Sequence, residues 1–206
     1  MKRFALVLAL LPVSYDAVFA QSHQQEIARW QKHYKEEFIE EPRSPLKAKD
    51  TGFLRFYPVA KKWAVRAEVV PIPDAKPIEM ATHAGITKKF RPYALLRFAN
   101  PTSRGVTYDS LIAYESLRGK SPDTLVFIPF NDETNGADTY GGGRYMDIPK
   151  RLLSEPRFLL DFNKAYNPWC VFASGYSCPI PPTENRLGMH VEAGELLPDE
   201  RIRAKE

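Results

Sequence analysis

Cysteine occurs twice in the 206 residues and histidine four times. A zinc site would need closer CxxC spacing and further Cys or His ligands, and the sequence has neither. No run reaches the roughly twenty apolar residues of a membrane span, because Pro12, Ser14 and Asp16 interrupt the most apolar stretch. Basic residues form no cluster. The 29 Lys and Arg against 25 Asp and Glu leave a formal charge of +4 scattered along the chain, which argues against nucleic acid as a partner. Cofactor fingerprints are missing too. Gly141-Gly142-Gly143 lacks the Lys-Ser/Thr pair and helix of a phosphate loop, since Arg144-Tyr145 leads into a predicted strand. The strand–turn–helix setting of a dinucleotide site is absent as well. Asn131, Glu133, Asn135 and Gly136 imitate the start of a calcium loop, but Gly142 stands where a bidentate glutamate is required. There is no GxSxG nucleophile elbow, and Ser174-Gly175 is half a match. No metal and no cofactor is therefore expected.

What the N-terminus does contain is an export pattern. Lys2 and Arg3 precede an apolar run from Phe4 to Val13, and the segment ends in Val18-Phe19-Ala20. A charged start, a short apolar core and small residues at the −3 and −1 positions make residues 1–20 a signal peptide cleaved after Ala20. The expected product is periplasmic or secreted, with no membrane span after cleavage. Losing Lys2, Arg3 and Asp16 lowers the formal charge from +4 to +3. In an oxidising compartment the two cysteines, Cys170 and Cys178, are expected to pair. Closing so short a loop stabilises by about 2.5 kcal/mol in the chain-entropy treatment.

Residues 21–45 read as one amphipathic helix and a linker. Ile27, Trp30, Tyr34 and Phe38 make a single apolar stripe on a 3.6-residue period, expected to pack on the domain body. Ser22 and Gln25 have the spacing of a capping box, and Pro42 and Pro45 end the helix. From Gly52 the period changes. Short alternating runs follow at Phe53–Tyr57, Trp63–Val70, Ile78–Ala81, Lys88–Tyr93, Ala94–Phe98, Val106–Tyr108, Leu111–Tyr114, Leu125–Phe130, Tyr145–Ile148, Phe158–Phe162 and Gly188–Glu192. Thr82-His83-Ala84-Gly85 reads as a hairpin turn. The fold class is mainly β, a single-domain antiparallel β-barrel or sandwich over residues 46–197 with one N-terminal amphipathic helix. Residues 198–206 read as a polar C-terminal tail.

The second half concentrates polar side chains in irregular blocks: PFNDETNGADTYGGGRY at 129–145, LDFNKAYNPWC at 160–170 and CPIPPTENRL at 178–187. These strings resemble an uncharacterised bacterial family, domain of unknown function 1684, and the likeness runs from about Trp30 to Glu195. The resemblance implies no activity and no catalytic residue.

The blocks supply candidate ligand residues: Asp132, Glu133, Tyr140, Arg144, Asn163, Tyr166, Asn167, Glu184, Asn185 and Arg186. Arginines suit bidentate contacts, asparagines suit hydrogen bonds and tyrosines offer stacking faces, a set fitted to a small polar, polyhydroxylated or anionic ligand. A hydrolase using Asp132 or Glu133 with Glu184 as acid and base is the alternative. A third reading has no small-molecule site. There the same side chains satisfy the backbone of loops packed over a barrel end, as a structural or interaction domain. His190 lies in a predicted strand with no companion motif, a setting more common for a structural histidine than for a base. The export reading has a direct check: N-terminal sequencing of protein recovered outside the cytoplasm should begin at Gln21.

Overall fold

The computed structural model describes residues 15–117 and 125–204. Most of the expected signal, residues 1–14, lies outside the described residues. The helix α1 spans Tyr15–Glu40. It begins before Ser22, so in the full chain Ser22 lies inside the helix and the expected capping box does not start it. Pro42 ends it as expected, because a proline disfavours helical geometry at the residue before it.

Seven strands form one antiparallel sheet: β1 (Ala64–Pro71), β2 (Ile78–Ala81), β3 (Thr87–Ala99), β4 (Tyr108–Ser116), β5 (Leu125–Phe130), β6 (Arg144–Pro149) and β7 (Arg157–Asp161). Their order is β6-β5-β4-β3-β1-β7, with β2 beside β3. The sheet curls into a half-barrel, which decides between the barrel and sandwich expectations. The β2–β3 hairpin turns where expected, with Gly85 at φ +74°. The two runs around Pro92 are one strand. The register of β3 on β4 shifts between Pro92 and Ala94, so a bulge absorbs the missing proline N–H. Of the expected strand Val106–Tyr108 only Tyr108 is strand, as the first residue of β4. Two further expected strands are not strands. Thr51–Phe53 is a 3-10 turn, and only Phe56 bridges, to Glu195. The other is Gly188–Glu192.

That second segment explains much of the interior. The inner face of the sheet buries Val65, Ala67, Leu96, Phe98, Leu111 and Ile128, and Leu187, Met189, Val191 and Ala193 pack into the same cluster. Their period of two is that of a strand, with the alternate residues 188, 190 and 192 exposed. Its start bonds to the chain just after β5, Leu187 N–H to the Asn131 carbonyl at 2.8 Å and Glu133 N–H to the Met189 carbonyl at 3.0 Å, and beyond Met189 no strand pairs with it among the described residues. Instead Arg144, at the start of β6, gives one guanidinium nitrogen to the Val191 carbonyl at 2.9 Å and another to the Ala193 carbonyl. Asp132 accepts from the Val191 N–H at 3.2 Å. Arg144 and Asp132 pair at 2.7 Å with both side chains fully buried. An ion pair thus supplies the hydrogen bonds a neighbouring strand would have made.

Asparagines do the same elsewhere. The Asn185 side-chain carbonyl accepts from Ile112 N–H at 2.7 Å, while its amide donates to the Ile112 and Pro129 carbonyls. It sits where β4 and β5 separate and where Pro129 has no N–H to contribute. Asn163 brackets Ala60 in the same way, accepting and donating at 3.0 Å.

Arg144→Ala leaves Asp132 buried and uncompensated, a change that costs about 3–5 kcal/mol. At about 2–4 °C per kcal/mol for a domain of this size, thermal melting should show Tm lower by about ten degrees. The double replacement Arg144→Met with Asp132→Leu should recover much of that loss; an unchanged Tm in the single variant would contradict the bracing role.

Candidate site at the open seam

The half-barrel ends on β6 and β7, which are bridged only where Tyr145 of β6 exchanges two backbone hydrogen bonds at 2.9 Å with Tyr166, in the chain after β7, and α1 lies across the rest of the gap. The helix docks through the apolar stripe legible in the sequence. Ile27, Tyr34 and Phe38 are buried, and Trp30 stacks on Tyr34 with ring centroids 5.3 Å apart. Loop residues complete the contact: Tyr166 tilts against Tyr34 at 5.7 Å and Trp169 against Phe38 at 6.2 Å. The Cys170–Cys178 disulfide formed as expected, and it closes the loop that begins beside Trp169.

The helix does not fill the seam. A cleft of about 810 Å³ remains, with Trp30, Tyr34, Glu37, Asp147, Tyr166 and Trp169 among its walls. That is the size of a small-molecule site. Asp147 projects from the edge strand β6, and its Oδ2 accepts from the Tyr166 hydroxyl at 2.5 Å. Asp147 is exposed to solvent. The surrounding protein raises its pKa, the Tyr166 hydrogen bond acts the other way, and the nearby Glu37 charge raises it further. Burial raises the Glu37 pKa too, with His33 opposing. Of the other charged lining groups, Lys164 pairs with Glu26 at 2.6 Å, Asp161 with His23 at 2.8 Å and His33 with Glu37 at 3.5 Å, while Arg151 makes no ion pair among the described residues.

Behind Tyr34 lies a sealed carboxyl. Glu195 follows Gly194, whose φ of +76° and whose missing Cβ, 2.5 Å from the Ala165 carbonyl oxygen if present, admit only glycine. Glu195 Oε2 accepts from the Tyr34 hydroxyl at 2.9 Å and from Asn167 N–H at 2.7 Å. Burial pushes its pKa up to about 7, against these hydrogen bonds and the Arg144 charge. Glu195 Oε1 and Asn167 Oδ1 are buried acceptors with no donor.

Of the ten residues singled out from the sequence, the cleft includes only Tyr166. Arg144, Asp132, Asn163, Asn167 and Asn185 are buried, their side chains engaged with backbone or with one another. Glu133 and Arg186 pair with each other at the surface, 3.3 Å apart. Glu184 accepts from Tyr114 at 3.3 Å, so the three acids of the hydrolase pairing face no common cavity. Tyr140 lines a separate cavity of about 800 Å³ with Gly136, Cys170 and Leu197. Sequence reasoning missed Asp147, Glu37 and Trp169. The one usable sign was Glu37 beside the aromatic stripe, and nothing local tells which strand edge the stripe covers.

Residues 51–196 match the family described as "Protein of unknown function (DUF1684)". The chain belongs to that family. The DUF1684 match begins after α1, so the helical wall of the cleft lies outside it. The chain is also similar to a solved structure, the solution NMR structure of the uncharacterized protein from gene locus rrnAC0354 of Haloarcula marismortui. The two share 28% identity and a TM-score of 0.66 over 87% of this chain and 96% of the archaeal one. A search of the curated proteins finds no match.

Glu195 dictates a pH dependence. A carboxyl with a higher pKa folded than unfolded holds its proton more tightly in the folded state. Stability is therefore greatest below the ordinary value of 4.5 and is lost as pH rises through about 7. The shift corresponds to roughly 3 kcal/mol at most. Glu195→Gln keeps an acceptor for Tyr34 and Asn167 N–H and adds a permanent donor. Thermal melts at about pH 5 and about pH 8 should show this variant less pH-sensitive than wild type and more stable at the higher pH. A wild-type Tm that rises over that interval while the variant's stays flat would contradict the assignment.

Proposed function

We propose that this DUF1684 chain is an exported small-ligand-binding β module, with its ligand held in the seam cleft between β6, β7 and α1. The observation that carries this reading is the open cleft, walled by aromatic rings, into which Asp147 presents a carboxylate bonded only to a tyrosine hydroxyl. Export rests on the N-terminal pattern. Every named wall residue follows Ala20, so cleavage there leaves the cleft's composition intact. The polar loops then serve the site indirectly, holding β6 and the 187–193 segment in place around it.

A second reading is a hydrolase using paired carboxylates, with Asp147 as acid and Glu37 as its partner. The upward shift of the Asp147 pKa in an open cleft favours it, since that is the direction a general acid needs. Binding without turnover separates the first reading from this one.

A thermal-shift screen of the purified protein against small sugars, amines and carboxylic acids tests the proposal. A ligand at about a hundred times its Kd stabilises by about 2.7 kcal/mol, or about 5–10 °C here. At least one class should raise Tm in wild type and fail to do so in Trp30→Ala, which removes a wall but no core residue. If no compound moves Tm, or the shift survives Trp30→Ala, the cleft is not the binding site.

A further inference from the structure

The chemistry of the cleft walls selects among ligand classes. This step rests on the cleft being a ligand site and names what it takes. We propose that the seam cleft binds an organic cation, a small molecule bearing an ammonium group. Its charge lies by Asp147 and Glu37, and its carbon body lies against Trp30, Tyr34 and Trp169.

Three observations converge. First, the acids are in excess where the ligand would sit. Lys164 is occupied by Glu26, and His23 by Asp161. His33 is shared between Glu36 and Glu37, at 4.0 and 3.5 Å. Arg151 stands at the exposed rim. Asp147 makes no ion pair among the described residues, and its Oδ2 contact is a neutral hydroxyl. The free polar capacity of the walls is thus mainly that of acceptors. An ammonium is a donor with no acceptor, whereas a sugar hydroxyl or an anion needs donors from the protein.

Second, α1 ends at this site with no basic residue in its last turn. Its unpaired carbonyls add partial negative charge, and Glu37 and Glu40 sit at that same end, where acids are unfavourable. A ligand cation relieves both.

Third, the aromatic wall is of the kind that holds ammonium groups over ring faces. The same cluster already does so with a side chain: Lys35 Nζ lies 6.0 Å from the Phe56 ring centre, and Phe56 packs edge-on against Trp30 and Tyr34. Trp30 and Trp169 are partly exposed beside the carboxylates, while Trp63 is fully buried in the main core.

The test is a tryptophan-fluorescence titration of the full processed protein with three matched probes: phenethylamine, 2-phenylethanol and phenylacetate. Phenethylamine should bind at least about tenfold more tightly than the other two, the order expected of a desolvated cation–aromatic contact. Asp147→Asn and Glu37→Gln should each remove most of that preference while Tm stays near wild type. Glu37 is exposed, so its variant keeps the test intact if Asp147→Asn folds poorly. Equal affinity for the alcohol, or a preference for phenethylamine untouched in both variants, overturns the cation assignment and leaves the cleft reading standing. No quenching by phenethylamine also overturns it, and the thermal-shift screen decides separately whether the cleft binds anything. Tighter binding of phenylacetate reverses the sign of the site and overturns it as well.

Discussion

Arg144 and Asp132 hold the interior of this protein in register. The pair is fully buried, where an isolated charge of either sign would be strongly destabilising. Each is matched by the other and by backbone: Arg144 reaches the carbonyls of Val191 and Ala193, and Asp132 takes the N–H of Val191 and of Thr134. Beyond Met189, where its backbone bonds to residues 131 and 133 stop, the segment can therefore continue through the half-barrel without a strand beside it. Buried backbone groups must find partners, and here side chains provide them. Asn185 and Asn163 repeat the device at the β4–β5 split and at Ala60. The polar blocks of the second half are explained in large part by that demand.

Filling the interior with a strap rather than more strands has a consequence at the other side. Among the described residues the sheet closes only at the single Tyr145–Tyr166 bridge, and most of β6 and β7 is left as facing edges. Open edges attract unwanted pairing unless they are covered. Helix α1 covers them with an aromatic stripe, but a helix is a poor fit to a flat gap, and a cleft remains between its polar flank and β6. The same geometry that protects the edges places Asp147, Glu37 and five aromatic rings around one cavity.

Glu195 ties the two regions together. Its carboxyl receives the Tyr34 hydroxyl from the helix and the Asn167 N–H from the loop, and the Arg144 charge acts on it. The helix is thereby docked on a titratable group rather than on apolar contact alone. Its pKa of about 7 makes that docking sensitive to pH near neutrality in a way a purely apolar interface would not be.

Local pattern was enough to place the helix stripe, the exact limits of β2 and β5, the Gly85 turn, the cysteine pair and the mainly β class. Each depends on residues near one another in sequence: a period of 3.6 or 2, a positive φ, or a short loop. Local pattern also led to Arg144, Asp132 and the asparagines as residues of consequence, though not to what they do. It misread 188–192 as a strand, because alternation records which side chains face inward and says nothing about what bonds the backbone. The seam cleft was out of reach for a similar reason. Glu37 and Asp147 are far apart in sequence and meet only because β6 is an edge and α1 lies across it. Strand order, and with it the edge, is set by long-range packing. The amino-acid sequence by itself determined the elements and the candidates for burial. Only the tertiary structure decided which polar side chains close the backbone and which are left facing a cavity.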